Sequence, residues 1–259
     1  LFQIENEIRT SIPIAYLNIW DDLPAPMYNR EFYDSCDALF GISKQTVNIN
    51  KLVLGKEKSK EKIIKYIPHG LNNQTFRPLK DDDSGLMETK KKINNGVDVD
   101  FTLLFNSRNI RRKSIPDTIL AWKFFMDTLT KEEQKKCNFI LHTDPVSDAG
   151  TDLLAVINFL FPETGSGNLV ISQQKLTRDQ LNQFYNIADG VILLSSAEGW
   201  GLSLTEALLT GTPIIANVTG GMQDQMRFED KNGNWIDFDE NIPSNHRGTY
   251  KTHGEWALP

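Results

Sequence analysis

Runs of apolar residues alternate with segments of helical periodicity along most of the chain. In the runs, apolar residues follow one another as in strands covered on both faces, whereas in the other segments they recur every three or four positions. The first pattern predicts strands within residues 13–19, 37–43, 62–68, 101–107, 138–143, 168–172, 190–196, 213–218 and 234–238. The second pattern predicts helices around residues 28–35, 44–52, 116–129, 151–160, 177–188 and 203–210.

This alternation predicts an α/β fold. Consecutive parallel strands need long, right-handed crossovers, so helices between strands indicate doubly wound parallel sheets. Turn-forming residues cluster at 69–85 and mark a boundary near residues 72–78. We therefore expect a partial first domain over residues 1–72, a linker and entry segment over 73–100, and a second domain over 101–259. In such sheets ligands bind beyond the carboxyl ends of the strands.

Length, charge and cysteine content narrow the class of protein. The 259 residues can form one large or two ordinary domains, and no apolar run reaches the roughly 18 to 20 residues of a membrane span. The net charge of −6 argues against a dedicated nucleic-acid binder. Cys36 and Cys137 have no second thiol or histidine at metal spacing, which favours a reducing, cytoplasmic setting. Because the chain begins without methionine or a signal-like segment, we expect a fragment.

The stretch AEGWGLSLTEALLTGTPIIA, residues 197–216, joins a predicted strand to a predicted helix through a glycine-rich turn. Free N–H groups at a helix N-terminus favour anions, and Gly199 and Gly201 let a bulky ligand approach the backbone. The junction is therefore suited to ligand contact. A structural alternative stays open, because Ser203 and Glu206 have the spacing of a capping box and Glu198 could simply complement the helix dipole.

The junction and its surroundings, residues 176–224, resemble the retaining glycosyltransferases of family 4, the group 1 or glycogen synthase-like transferases. Glu198 and Glu206 match that family's E-x7-E signature, and Arg108 and Lys113 match its Arg-x4-Lys motif. The segments 14–26, 34–46 and 66–79 are similar to the acceptor domain and the interdomain connection. The resemblance implies a GT-B fold of two Rossmann-like domains, of which the first is incomplete here.

The resemblance also implies roles for individual residues. Arg108 and Lys113 would neutralise the donor diphosphate and, with Glu198, form the catalytic set. Glu206 would accept hydrogen bonds from the ribose hydroxyls, and Glu198 would bind the transferred sugar. Further expected donor contacts are Gly199, Trp200, Gly201, Leu202, Gly220, Gly221 and, near the base, Leu176. On the acceptor side only Asp21 matches, since Trp20 stands where the family has a histidine. Serines at 107 and 114 replace the glycines that usually flank the motif.

By this resemblance the protein is a metal-independent, retaining hexosyltransferase without a cofactor. It would move a sugar from a UDP- or GDP-sugar to a glycan or another hydroxyl-bearing acceptor, with the leaving phosphate helping to deprotonate that hydroxyl. Whether the chain is active alone stays open. The alternatives are a non-catalytic nucleotide-sugar-binding domain, a sugar-nucleotide epimerase and a phosphorylase. Retaining glycosidases need carboxyl groups about 5 to 5.5 Å apart. Eight residues on one helix span about 12 Å at 1.5 Å per residue, so Glu198 and Glu206 are not expected to form such a pair and a glycosidase is disfavoured.

Other charged patterns have simpler explanations. Two acidic pairs, at 98 with 100 and at 237 with 239, match an Asp-x-Asp metal signature, but such patterns arise easily in a chain with 34 acidic residues. The six lysines of residues 51–65 leave a peripheral membrane contact open, although interleaved glutamates favour a solvated helix face. The basic triplet 111–113 is too short to indicate nucleic acid. The four histidines at 69, 142, 246 and 253 lack ligand spacing, so we expect structural or surface roles.

Overall fold

The computed structural model describes residues 4–21, 24–162 and 168–226, together with residues 229–230, 232, 250–251 and 257–258. The first part forms a three-stranded parallel sheet in the order β1-β2-β3. Its elements are α1 (Glu5–Ile8), β1 (Ala15–Asn18), α2 (Arg30–Asp34), β2 (Ala38–Gly41), α3 (Lys44–Leu54), α4 (Lys56–Glu61) and β3 (Ile63–Tyr66).

The rest of the described chain builds a second parallel sheet. Its helices are α5 (Ser84–Ile93), α6 (Ile115–Asp127), α7 (Lys131–Lys135), α8 (Leu153–Leu160), α9 (Arg178–Ile187), α10 (Leu202–Thr210) and α11 (Met222–Met226). Its strands are β4 (Phe101–Asn106), β5 (Cys137–His142), β6 (Leu169–Ser172), β7 (Gly190–Leu193) and β8 (Ile214–Asn217). Toward the end, β9 (Glu229–Asp230) pairs with β10 (Tyr250–Lys251), and β11 (Ala257–Leu258) pairs with β8.

The strand order of the second sheet determines where a ligand can bind. The order is β11-β8-β7-β4-β5-β6, so the chain builds outward from β4 to β6 and then returns to add β7 and β8 on the other side of β4. The connections after β4 and β7 therefore leave in opposite directions. A crevice forms at such a switch point, beyond the carboxyl ends of the strands.

Two separate apolar cores support the two sheets. The first core contains Tyr33, Leu39 and Ile49, and the second contains Trp122, Phe139 and their neighbours. The sheets meet near the switch point, where the backbone N–H of Lys44 at the start of α3 donates to Asp224 Oδ2 at 2.8 Å. The predicted α/β class with doubly wound parallel sheets is confirmed. The predicted domain boundaries stay predictions.

Most predicted elements are present within one or two residues of their expected ends. The strand predicted over residues 234–238 lies outside the described residues. The helix α5 was not predicted, because three consecutive lysines near its end interrupt the apolar pattern and only Leu86 is buried. In the structure, the Asp83 side chain caps α5 by accepting from the N–H of Leu86 at 2.9 Å.

The lysine-rich segment 51–65 forms the end of α3, α4 and β3. Lys58 forms an ion pair with Asp34, and Lys62 reaches the backbone carbonyls of Asp34 and Cys36. Lys60 lies 3.2 Å from Glu57. These lysines have partners within the chain, as on a solvated helix face.

Candidate active site

A cavity of about 580 Å³ opens at the switch point of the second sheet. Residues 106–108 lie at the end of β4, 142–144 at the end of β5 and 172–175 at the end of β6, and 198–203 join β7 to α10. The first sheet contributes Ile19, Asp21 and Ile42 to the opposite wall. The cavity therefore lies between the two sheets, with most of its polar wall on the second.

The glycine-rich turn allows close packing at the start of α10. Gly201 is the N-cap residue with φ of +86°, and a Cβ atom there would lie 2.8 Å from the Met222 side chain. A larger residue would meet both backbone strain and a clash. Trp200 is buried and donates from its indole to Thr205 Oγ1 at 2.9 Å, while its ring meets His69 edge-on. The free amides of α10 thus begin at a rigid turn on the cavity wall.

Glu206 lines the cavity and does not cap the helix. The helix α10 has no side-chain cap bond, and Ser203 lies inside it, so the capping-box interpretation is wrong. Glu206 Oε2 instead accepts a hydrogen bond from the Tyr185 hydroxyl. Burial raises the pKa of Glu206, while the Tyr185 bond acts in the opposite direction. No described residue donates to Oε1, which leaves acceptor capacity toward the cavity.

Glu198 is buried between two cations. Lys113 Nζ bonds its Oε1, and Arg112 Nη1 lies 3.3 Å from its Oε2. Arg112 also donates to the carbonyl of Ala197 at 2.6 Å and lies 3.7 Å from Asp21 Oδ2 on the first sheet. Burial lowers the pKa of Lys113, while Glu198 acts in the opposite direction. Glu198 and Asp21 are thereby connected through one guanidinium.

Arg108 and Lys175 differ from these paired cations. Both side chains are exposed on the cavity wall, and neither has a hydrogen-bonding or ionic partner among the described residues. They are therefore free to bind an anionic ligand. Lys113, expected to bind phosphate, is paired with Glu198 in the structure.

Most of the predicted site residues converge on the cavity. Those that line it are Asp21, Arg108, Lys113, Glu198, Gly199, Trp200, Gly201, Leu202 and Glu206. Gly220 and Gly221 lie behind the turn, where their Cβ positions fall 2.0 Å from the carbonyl oxygens of Glu198 and Gly199. Leu176 packs against the second core, next to the lining residues 172–175. Donor contact stays a prediction for these three residues and for those that line the cavity.

Several residues of the site were missed from the sequence. Tyr185 and Arg112 act through contacts that join distant segments. His142, expected to be structural, lines the cavity with its Nδ1 3.0 Å from Ser172 Oγ. Burial lowers the pKa of His142. Its place at the carboxyl end of β5 is the signal that could have identified it, since ligands bind at strand ends.

The acidic pair at 98 and 100 and the lysines of residues 51–65 do not line this cavity. Asp100 forms an ion pair with Lys136 at 3.0 Å. Within the described ranges, no group of three or more His, Cys, Asp or Glu residues is placed to hold a metal ion. The acidic pair 237 and 239 and the histidines 246 and 253 lie outside the described residues. In the part of the chain that the structure describes, no helix is long and apolar enough to cross a membrane.

Sequence comparisons find glycosyltransferases that are similar to parts of the chain. Residues 151–244 match the family model described as "Glycosyl transferases group 1". The "Uncharacterized glycosyltransferase MJ1607" of Methanocaldococcus jannaschii is 30% identical over 80 residues, which are 31% of this chain and 20% of that protein. The "D-inositol 3-phosphate glycosyltransferase" of Frankia alni is 25% identical over 154 residues, which are 60% of this chain and 36% of that protein. The chain thus spans about a third or less of these relatives.

Comparison with solved structures supports the fold. The E. coli structure described as "Trehalose-6-phosphate from E. coli bound with UDP-2-fluoro glucose" superposes with a TM-score of 0.66 and 15% identity. The match covers 86% of this chain and 58% of that one. The family resemblance predicted from the sequence is therefore confirmed: residues 151–244 match the group 1 glycosyl transferases, and the chain has the GT-B fold.

Proposed function

We propose that this chain holds the donor site of an enzyme that transfers a sugar from a nucleoside diphosphate sugar to an acceptor hydroxyl with retention of configuration. The observation that carries the proposal is the convergence of Arg108, Glu198 and Glu206 on one cavity at a switch point. The family match supports glycosyl transfer. The E. coli structure, described as holding UDP-2-fluoro glucose, supports a nucleotide sugar as the ligand.

Each part of the donor would meet a group of suitable chemistry in this arrangement. The diphosphate would bind the free guanidinium of Arg108 and the amides at the start of α10, where the helix dipole favours anions. The ribose hydroxyls would donate to Glu206. The transferred sugar would then lie against Glu198, with the base beside residues 172–176. Asp21, across the cavity, supports a position for the acceptor on the side of the first sheet.

The proposed reaction needs no protein group that bonds covalently to the sugar. The acceptor oxygen bonds to the anomeric carbon as the bond from that carbon to the diphosphate breaks, and the acceptor proton passes to a phosphate oxygen on the same face. Positive groups at the diphosphate would stabilise the charge of the leaving group without a metal ion. Glu198 has both oxygens next to cations, which supports a role in holding the sugar rather than in attacking it.

Nucleotide binding tests the proposal. Calorimetry with UDP, GDP and ADP, with and without magnesium, should show micromolar, metal-independent binding of one nucleotide. Arg108→Gln should weaken this binding at least about tenfold, or about 1.4 kcal/mol. Arg111→Gln is the matched control, because Arg111 is exposed in the next turn but does not line the cavity. Absence of binding, or equal effects of the two substitutions, would contradict the proposal.

Retention itself is tested on the product. We expect the anomeric proton coupling in the NMR spectrum of the product to report the same configuration as in the donor. The opposite configuration would show an inverting transferase. Conversion of the nucleotide sugar without any acceptor would instead indicate an epimerase.

A further inference from the structure

Behind Glu206, two hydrogen bonds in series connect one strand of the second sheet to two helices that pack on it. Asn106 Nδ2, at the end of β4, donates to the Tyr185 hydroxyl oxygen at 2.8 Å. The Tyr185 hydroxyl, on α9, donates in turn to Glu206 Oε2 on α10. Asn106 and Glu206 line the cavity, whereas Tyr185 lies behind it. We name this series of bonds, from Asn106 to Tyr185 to Glu206, the tyrosine relay.

The position of the Tyr185 hydroxyl is fixed by packing. The residue is 0% exposed, and its ring meets Phe76 edge-on with centroids 6.0 Å apart. Its backbone carbonyl accepts from Thr212 Oγ1 at 2.8 Å, which joins α9 to the segment after α10. A ring held in this way cannot follow Glu206 if that side chain moves. The position of the Tyr185 hydroxyl therefore determines where the Glu206 carboxylate lies when the hydrogen bond between them forms.

The direction of the hydroxyl proton is also determined. A phenol carries one proton and can both donate and accept. The Asn106 amide nitrogen can only donate, so the Tyr185 oxygen accepts there and its own proton points to Glu206. The bond therefore favours the ionised, acceptor-only form of Glu206 and opposes the effect of burial on its pKa. One carboxylate oxygen of Glu206 is anchored, and the other has no hydrogen-bond donor among the described residues.

We propose that Tyr185, braced by Asn106, holds the Glu206 carboxylate in the orientation that accepts hydrogen bonds from both ribose hydroxyls, and so makes the site select ribonucleotides over deoxyribonucleotides. The inference rests on the proposed function, in which Glu206 binds the ribose. Tyr185 acts through Glu206 and is a positioning residue. Two vicinal donors need a carboxylate in one definite plane, because hydrogen bonds weaken steeply away from their preferred angles.

Selectivity for the 2′-hydroxyl measures this orientation. A 2′-deoxynucleotide cannot donate that hydrogen bond, and bonds to a charged acceptor are the stronger ones. We expect wild-type protein to bind its nucleoside diphosphate at least about tenfold more tightly than the 2′-deoxy form. The ratio of the two dissociation constants depends on the ribose contact, because the base and the diphosphate are common to both ligands.

The experiment compares UDP with dUDP, GDP with dGDP and ADP with dADP by calorimetry on wild-type protein, on Tyr185→Phe, on Glu206→Gln, on the double variant that carries both changes, and on one control variant. Tyr185→Phe should reduce the selectivity ratio to about threefold or less, and Glu206→Gln should reduce it similarly. In the double variant the ratio should fall no further, because Tyr185 acts only through Glu206. Tyr33→Phe is the matched control: it removes another buried hydroxyl, bonded to Asn18 at 2.6 Å in the first core, and should leave the ratio unchanged.

The outcomes separate this inference from the function on which it rests. If wild-type protein binds none of the six nucleotides, the proposed function fails. If it binds a ribonucleotide selectively and Tyr185→Phe keeps that selectivity, the tyrosine relay has no positioning role. A ratio that falls further in the double variant than in Glu206→Gln also overturns the inference. Circular dichroism confirms that each variant is folded, and the ratio itself is insensitive to a loss of active protein.

Discussion

Removal of Lys113 alone should destabilise the chain more than removal of both members of its ion pair. Lys113 and Glu198 have side chains only 10% and 5% exposed, so water cannot replace a lost partner. Truncating one member of a buried pair costs about 3–5 kcal/mol, because the other charge stays buried. Since Arg112 Nη1 still lies 3.3 Å from Glu198, we expect the lower end, about 3 kcal/mol, for Lys113→Met.

The double variant separates the loss of the pair from the cost of an orphaned charge. Lys113→Met with Glu198→Gln leaves no buried carboxylate without its cation, and Arg112 keeps Asp21 nearby. We expect it to be about 1–2 kcal/mol more stable than Lys113→Met alone, despite the additional substitution. For a chain of this size, the single variant should melt about 6–12 °C below wild type.

Thermal and urea unfolding, followed by circular dichroism, measure both effects. Lys136→Met is the matched control, because it removes a lysine from an exposed pair with Asp100 and should change stability little. If Lys113→Met is no more destabilising than Lys136→Met, Glu198 is not held by Lys113 as described. If the double variant loses as much stability as Lys113→Met and Glu198→Gln lose in sum when each is made alone, the reasoning from an orphaned charge is refuted.

Two further predictions follow from the same region. Burial raises the pKa of Glu206, so wild-type protein gains stability relative to the uncharged variant Glu206→Gln as the pH falls and the carboxylate is protonated. In thermal unfolding, the stability advantage of Glu206→Gln over wild type should therefore narrow from about pH 7 to about pH 5. A difference that stays constant with pH would argue against burial of the charge. Gly220→Ala should cost about 2–4 kcal/mol in urea unfolding, because φ is +55° and the new Cβ would meet the Glu198 carbonyl. Gly211→Ala, with φ of +78° and open space, should cost about 1 kcal/mol, and equal losses would contradict the clash.

The periodicity of the sequence predicted the elements well where apolar residues decide the structure. Strands β4, β5 and β7 are almost wholly buried, so their apolar runs stand out from the flanking turns. The helix α5 has only Leu86 buried, and its amphipathic pattern is correspondingly weak. Its place depends on bonds to α9, such as Thr89 Oγ1 to Gln183 at 2.8 Å, which no local pattern reveals.

The cavity was predictable in place but not in its internal contacts. The rule that ligands bind at strand ends, together with the paired glutamates, indicated the turn before α10. The partners of those glutamates were not predictable, since Lys113 is 85 positions from Glu198 and Tyr185 is 21 positions from Glu206. The capping-box interpretation failed for the same reason. The spacing of Ser203 and Glu206 suggested that the Glu206 carboxylate accepts from the backbone at the start of the helix. In the structure it accepts from the Tyr185 hydroxyl, which is distant in sequence.

Glu198 and Glu206 are eight positions apart, yet their partners in the structure suit them to different ligand groups. Glu206 is oriented by a neutral phenol and keeps one oxygen for a ligand, so a neutral donor such as a ribose hydroxyl can bind without displacing anything. Glu198 already has Lys113 on one oxygen and Arg112 near the other. A sugar hydroxyl must compete there with a cation, and a diphosphate in the cavity would attract that same cation. We therefore expect phosphate and sugar binding to be coupled through Lys113, because the phosphate that draws Lys113 away frees an acceptor on Glu198.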